Sequence, residues 1–222
     1  MSEEETKPVK KYYDYISVGN RTKQTVYFVE QHDKPVHFEL FLKDFPASKT
    51  VVFTKSKKTA DELGAFLKSK EINATVIHGN HRVSQIEDAA KAFNENEINL
   101  LITTNKIYET MELAEVKTVV NYDLPQEPEH YFKSLRAVDE VGKSISFVNI
   151  EDEKMMETIE FMMKYDIPQE EIEAFTHTQL PKTQKRDKTK KPRHRKVQQR
   201  AEKKAAMKAK WGPKVEEDEE TS

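Results

Sequence analysis

The chain has no cysteine, little glycine and no long apolar run. Without cysteine, 222 residues can form no disulfide, no thiolate zinc site and no cysteine nucleophile. Five glycines include no G-x-x-x-x-G-K-[ST] phosphate loop, so the sequence shows no recognisable cradle for a nucleoside triphosphate and its magnesium. No stretch approaches the roughly 18 apolar residues of a membrane span. The opening MSEEETKPVKKYYDY also lacks the apolar core of a signal peptide. A soluble, cytoplasmic protein with no membrane contact is the expectation.

Charge is abundant but unevenly placed. Residues 1–181 carry 22 Lys+Arg against 32 Asp+Glu, whereas residues 182–222 carry 15 against 7. The net formal charge of −2 therefore hides an acidic body of −10 joined to a basic tail of +8. Such asymmetry points to nucleic acid or another polyanion as partner. The competing explanation is a tail that only solubilises.

Residues 1–22 are polar and read as a loose N-terminal segment. From 23 to 178 apolar strands alternate with helical patterns. The strands are QTVYFVE (24–30), TVVFT (50–54), ATVIHG (74–79), INLLITT (98–104), VKTVVNYD (116–123) and SISFVN (144–149). Between them, PVHFELFLKDF reads as a helix with Val36, Leu40 and Phe45 on or near one face. KKTADELGAFLKSK, capped by Ser56 or Thr59, aligns Leu63, Phe66 and Leu67. SQIEDAAKAFNEN turns Ile86, Ala89, Ala90 and Phe93 inward. Residues 105–112 form a short helical or looped piece, and helices near 127–139 and 151–164 complete the pattern. Strands alternating with helices predict a mostly parallel sheet covered on both faces, a three-layer α/β domain. Beyond it, 179–222 is a basic and then acidic tail, expected to be disordered alone because it cannot bury enough apolar surface. Its stretch 196–210 is rich in helix formers and suited to folding on a partner.

The order and spacing of VVFTKSKKTADEL, IHGN, LLITTN, VVNYDLP, HYF and GKSISFV resemble the second RecA-like domain of DEAD-box RNA helicases, over roughly residues 24–165. The resemblance implies RNA contacts on one edge and ATP contacts on another. Thr54 and Lys55 then fall where RNA backbone is met, as do His78, Gly79 and Thr104, the glycine allowing a phosphate close to the backbone. The same residues can equally persist as strand ends and turn formers. The family's Q-x-x-R positions hold Val83 and Ile86 instead, with Gln85 out of register. In TTNKIYETMEL, Asn105 replaces an aspartate, Glu109 and Thr110 replace an Arg-Gly step, and Glu112 replaces the residue that would meet the ribose. In YFKSLRAVDE the three arginine positions hold Ser134, Ala137 and Glu140, while Arg136 lies nearby but turned by about 100° per residue of slip. No D-E-A-D sequence is present. Losing one arginine beside a γ-phosphate can cost about 10³–10⁵ in rate. No cofactor is therefore expected, with ATP and magnesium held only if a partner domain supplies the site.

The tail carries the stronger nucleic-acid signal. Residues 182–210 hold 14 Lys+Arg against 2 acids. Lys185, Arg186, Lys190, Lys191, Arg193, Arg195, Lys196 and Arg200 are its candidate phosphate contacts, and Trp211 can stack on a base. Other sites are weaker: His78 and His81 have a metal-like spacing without further ligands, and Asp61 with Glu62 reads as a solvated face. Met155, Met156, Met162 and Met163 suit a core helix. The expectation is a degenerate helicase C-terminal domain binding RNA mainly non-specifically through its tail, with no ATPase or unwinding activity alone. A full helicase, a nuclease or the ribosome are the candidate protein partners. Two alternatives remain open: half of a split helicase completed in trans, and a protein-interaction scaffold with a polyanion-binding tail.

Overall fold

The computed structural model of the chain describes residues 14–178, apart from 46, 173, 174 and 177 and the side chains of 139–141. The tail residues singled out above, Lys185 to Trp211, lie outside the described residues. Among those described, six strands form one sheet: β1 (Lys23–Phe28), β2 (Thr50–Thr54), β3 (Thr75–Ile77), β4 (Leu100–Thr104), β5 (Val116–Asn121) and β6 (Val138–Val148). Their order is β1-β6-β5-β2-β4-β3 and every pairing is parallel. A strand buried on both faces needs an unbroken apolar run rather than an alternating one. TVVFT of β2 meets that need, and all five of its residues are buried.

The helices form the outer layers. On one face, α2 (Lys34–Asp44) and α3 (Lys57–Ser69) set Phe38, Phe41, Leu63 and Leu67 against Tyr27, Val52, Ile102 and Phe147. On the other, α1 (Tyr15–Arg21), α6 (Pro128–Ala137) and α7 (Glu153–Met163) cover Val26 and Val148 with Val18, Phe132, Leu135 and Ile159. Beside them α4 (Val83–Asn94) buries Ala89 and Phe93 on Val51, Phe53 and Leu101, and the single turn α5 (Asn105–Tyr108) adds Ile107 and Tyr108. This is the expected three-layer RecA-like sandwich. Ser56 caps α3 by accepting from the Thr59 amide at 3.1 Å, and Pro128 opens α6, where its missing N–H costs nothing. Gly64 lets α3 approach β3, since a Cβ there would overlap Val76 Cγ2. That contact outweighs the roughly 1 kcal/mol a helical glycine costs. No helix among the described residues is long and apolar enough to cross a membrane.

Three features differ from the sequence expectation. Helix α2 buries His37, Phe38, Phe41 and Leu42, while Val36 and Phe45 are 45% and 48% exposed. Its inward face contains a histidine ring enclosed by Tyr27, Phe147 and Phe175, at 5.3, 5.1 and 4.7 Å between centroids. A pattern of apolar letters does not reveal that burial. Residues 14–22 are not loose: Asp14 caps α1 by accepting from the Ser17 amide at 2.6 Å, and Val18 is fully buried. Strand β6 begins at Val138, directly after α6, and its register against β5 shifts between Val116 and Thr118.

A buried lysine anchors the carboxyl edge of the sheet. Lys34, in the first turn of α2, has 0% exposure. Its Nζ donates to the Tyr122 carbonyl at 2.9 Å and lies 3.3 Å from Asp123 Oδ1 and 3.5 Å from Asp152 Oδ2. Asp123 also accepts the Lys55 amide at 3.1 Å. Lys34→Met keeps the bulk but leaves two carboxylates facing each other without their cation. It is expected to destabilise the protein by about 3–5 kcal/mol in urea unfolding. A loss below about 1 kcal/mol, the range of surface pairs, would contradict this role.

Candidate functional site

All strands of a parallel sheet end on one edge, so the loops leaving that edge converge there. Residue Thr54 of β2 pairs directly with Thr104 of β4, and Ile77 of β3 pairs with Thr103, which puts His78 one step beyond. Three candidate residues distant in sequence thus stand on three adjacent strand ends, about 5 Å apart per strand. Their side chains are not equally available. Thr54 is 2% exposed, and its hydroxyl faces the Ser56 and Thr103 carbonyls, each at 3.3 Å. His78 is 3% exposed, with Nε2 2.9 Å from Asp61 Oδ1 and the His81 ring 4.5 Å away. Asp61 is therefore a support for His78 rather than merely a solvated acid. Thr104 is half-buried at the N-terminus of α5, and Gly79 and Lys55 are exposed. A Cβ on Gly79 would lie 3.3 Å from Lys57 Cε, so this glycine keeps the turn close to that lysine.

Sequence reasoning missed the cations around these residues. Lys57, Lys58, Arg82 and Lys106 are exposed on the loops and first helical turns leaving β2, β3 and β4. Lys57 Nζ donates to Asn80 Oδ1 at 2.7 Å, tying two of those loops together. The signal was present as basic residues flanking predicted strand ends. Their convergence required the strand order. No group of three or more metal-ligating side chains exists among the described residues, so His78 and His81 form a packed pair.

The opposite set of positions lies on α5 and α6. Ser134 is 2% exposed and donates its hydroxyl back to the Tyr131 carbonyl at 2.7 Å. Glu109 meets Lys133 Nζ and His130 Nδ1, each at 2.9 Å. Glu112 and Thr110 are exposed, and Asn105 is half-buried. Arg136 is exposed, with its guanidinium carbon 6.0 Å from the Tyr15 ring centroid. The side chain of Glu140 is outside the described residues. An arginine does reach the end of α6, but it comes from α1. Arg21 Nη2 donates to the carbonyls of Leu135 at 2.8 Å and Val138 at 2.7 Å, with Arg136 O at 3.4 Å. These are carbonyls at the end of α6, where a cation is favoured.

Residues 34–135 match the family model described as helicase conserved C-terminal domain. The ATP-dependent RNA helicase vasa of Drosophila melanogaster is 31% identical over 140 residues, which are 60% of this chain and 21% of vasa. The DEAD-box ATP-dependent RNA helicase RhpA of Helicobacter pylori is 28% identical over 163 residues, 72% of this chain and 33% of RhpA. Among solved structures, a DEAD box protein from Methanococcus jannaschii superposes with a TM-score of 0.64 at 27% identity, covering 69% of this chain and 43% of its own.

Residues 34–135 are a helicase C-terminal domain.

SrmB of E. coli, solved bound to regulator of ribonuclease activity A, shares the fold at a TM-score of 0.65 and 20% identity, covering 72% of this chain and 97% of its own. The chain spans only a fifth to a third of the curated relatives named above. Within this helicase C-terminal domain, the positions expected to carry arginines hold a buried serine and a carboxylate with its own cationic partners. The Lys133 ammonium, with a further contribution from His130, holds the Glu109 carboxyl below its ordinary value. A lowered carboxylate contributes stability that is complete at neutral pH. That stability is lost as pH falls through the lowered folded value. In an NMR titration, Glu109 is expected to protonate below the ordinary glutamate range, and Lys133→Ala to move its midpoint upward. An unchanged midpoint would show that the pair is not formed.

Proposed function

We propose that this chain is an RNA-binding accessory factor built on a helicase C-terminal domain, with no ATP hydrolysis or unwinding of its own. One observation carries the reading: charge is divided so that residues 182–210 hold 14 Lys+Arg against 2 acids beside a body of net −10. Lysines and arginines that neutralise phosphates release counterions, which yields affinity without sequence readout. The loop cations around Thr104 and His78 add a second contact on the domain, weaker because acidic residues surround it. The absence of a phosphate loop, with Ser134 and Glu109 occupied by intramolecular partners, supports the lack of ATP chemistry. Dbp5 of S. cerevisiae has been solved bound to RNA and ADP BeF3, and SrmB with a protein regulator. Binding of RNA and of a protein partner by this domain accords with such precedents, the proposed protein partner being a helicase, a nuclease or the ribosome.

Two measurements test this reading. Phosphate release in the presence of poly-uridine RNA is expected to stay at background, and turnover above about 1 s⁻¹ would overturn the proposal. For RNA binding, about six to ten phosphate contacts imply a loss of roughly 10³–10⁵ in affinity between 50 and 200 mM salt. Replacing Lys190, Lys191, Arg193, Arg195 and Lys196 by alanine is expected to weaken binding and flatten that slope, whereas Thr104→Ala has a smaller effect. Normal binding by the tail variant together with failure of Thr104→Ala would place recognition on the domain instead.

A second reading is favoured by the match of residues 34–135 to the helicase C-terminal family itself. In that reading it is one half of a split helicase, and a co-purified first domain restores RNA-stimulated ATPase activity.

A further inference from the structure

The edge of the sheet opposite the loop cations, where the strands begin, holds a second cluster of lysines. Lys23 opens β1 and pairs in register with Lys143 of β6, which in turn pairs with Thr118 of β5 beside Lys117. The three lysines thus stand on three neighbouring strands, spaced by about 5 Å per strand. All three are exposed. No ion pair within 4 Å holds any of them among the described residues. In a body with ten more acids than bases, three adjacent cations with no carboxylate within ion-pair distance call for an explanation.

These lysines rim a cavity of about 390 Å³, floored by Tyr27, Phe41, Leu42 and Ile145 and walled by Phe45. The volume lies within the range of small-molecule sites, about 300–1,000 Å³. Phe45 is 48% exposed and stacks on Phe41 at 5.2 Å, and Lys143 Nζ lies 5.6 Å from its ring centroid. Thr25, Thr50 and Thr118 are also part of the lining, with the Thr50 hydroxyl bonded to the Ser48 backbone. Two carboxylates, Asp44 and Glu170, share the lining, and Glu170 is held by the Tyr27 hydroxyl at 3.2 Å.

The requirements of a matching ligand follow from these groups. The aromatic floor and wall suit a flat ring, the lysines suit an oxyanion, and the threonines and carboxylates suit hydroxyl or amino donors. A phosphate alone would leave the apolar floor unused and would meet Asp44 and Glu170. An apolar ring alone would leave the lysines unpaired. We propose that this cavity binds a mononucleotide unit, with its base against Phe45 and Tyr27 and its phosphate among Lys23, Lys117 and Lys143. The unit is either a free nucleotide or one nucleotide of an RNA strand. The site lies on the α2 face, at the strand starts, and shares no residue with the α5–α6 positions or the loop cations described above.

The test uses the full chain and calorimetric titration with AMP, adenosine, inorganic phosphate and a uridine dodecamer. AMP is expected to bind more tightly than adenosine or phosphate. Lys23→Glu combined with Lys143→Glu is expected to weaken AMP on the order of 10–100-fold, the loss of one or two charge-assisted contacts. Phe45→Ala, at a half-exposed position, is expected to weaken AMP while leaving phosphate unchanged. Both variants are expected to melt as the parent does, because the altered side chains are not part of the core. Loss of AMP with the dodecamer retained assigns the cavity to a free nucleotide, and parallel loss of both assigns it to an RNA strand. The proposal is overturned if the parent takes up no AMP near about 1 mM. It is equally overturned if phosphate binds as well as AMP, or if the charge-reversed variant binds both AMP and the dodecamer as the parent does, which would leave the basic tail as the sole attraction.

Discussion

The buried ammonium of Lys34 is the contact on which the working edge of this domain depends. A lysine in the first turn of a helix sits against the positive end of the helix dipole, and full burial adds a desolvation cost. Both costs are offset by the Tyr122 carbonyl and the carboxylates of Asp123 and Asp152. The lysine and its partners thus join three different parts of the chain: α2, the exit of β5 and the start of α7. Through Asp123 the network also fixes the Lys55 amide, at the exit of β2. The loops that carry the exposed cations therefore leave a braced frame, and the brace is ionic rather than apolar.

The α5–α6 region shows how a substituted site is refilled rather than left open. Where a helicase C-terminal domain is expected to present arginines, Ser134 bonds within its own helix and Glu109 gathers Lys133 and His130. The carbonyls at the end of α6 are closed by Arg21 from α1. Each exchange satisfies the local backbone or charge, which is what a buried or half-buried polar group requires. The result is a self-contained surface whose charged groups are committed to one another.

Charge placement then separates the surfaces by chemistry. The carboxyl edge of the sheet gathers lysines and Arg82 on loops, and the opposite edge sets three lysines around an aromatic hollow. Between and around them the body is acidic, so among the described residues these are the two places where cations gather. Lysines and arginines that meet phosphates do not read bases, whereas a walled cavity can read a ring.

Strand and helix identity, the parallel sheet and the acidic–basic division were legible in the sequence, because each follows from local periodicity or from counting charges. TVVFT could only be a doubly buried strand, and Ser56 capped the helix it preceded. Other features depended on contacts between residues far apart in the chain. His37 faces inward because three aromatic rings from other elements enclose it, a pairing no helical period encodes. Tyr15–Arg21 folds because Asp14 caps it and Val18 finds the α6–α7 cluster, so a polar-looking segment becomes part of the core. The partners of Lys34, the supports of His78 and the meeting of Lys23 with Lys143 all require the strand order to be known first. The sequence by itself determined which elements form. Tertiary structure alone decided which charged groups are consumed inside the fold and which remain to meet a ligand, because only the folded chain sets the distances between them.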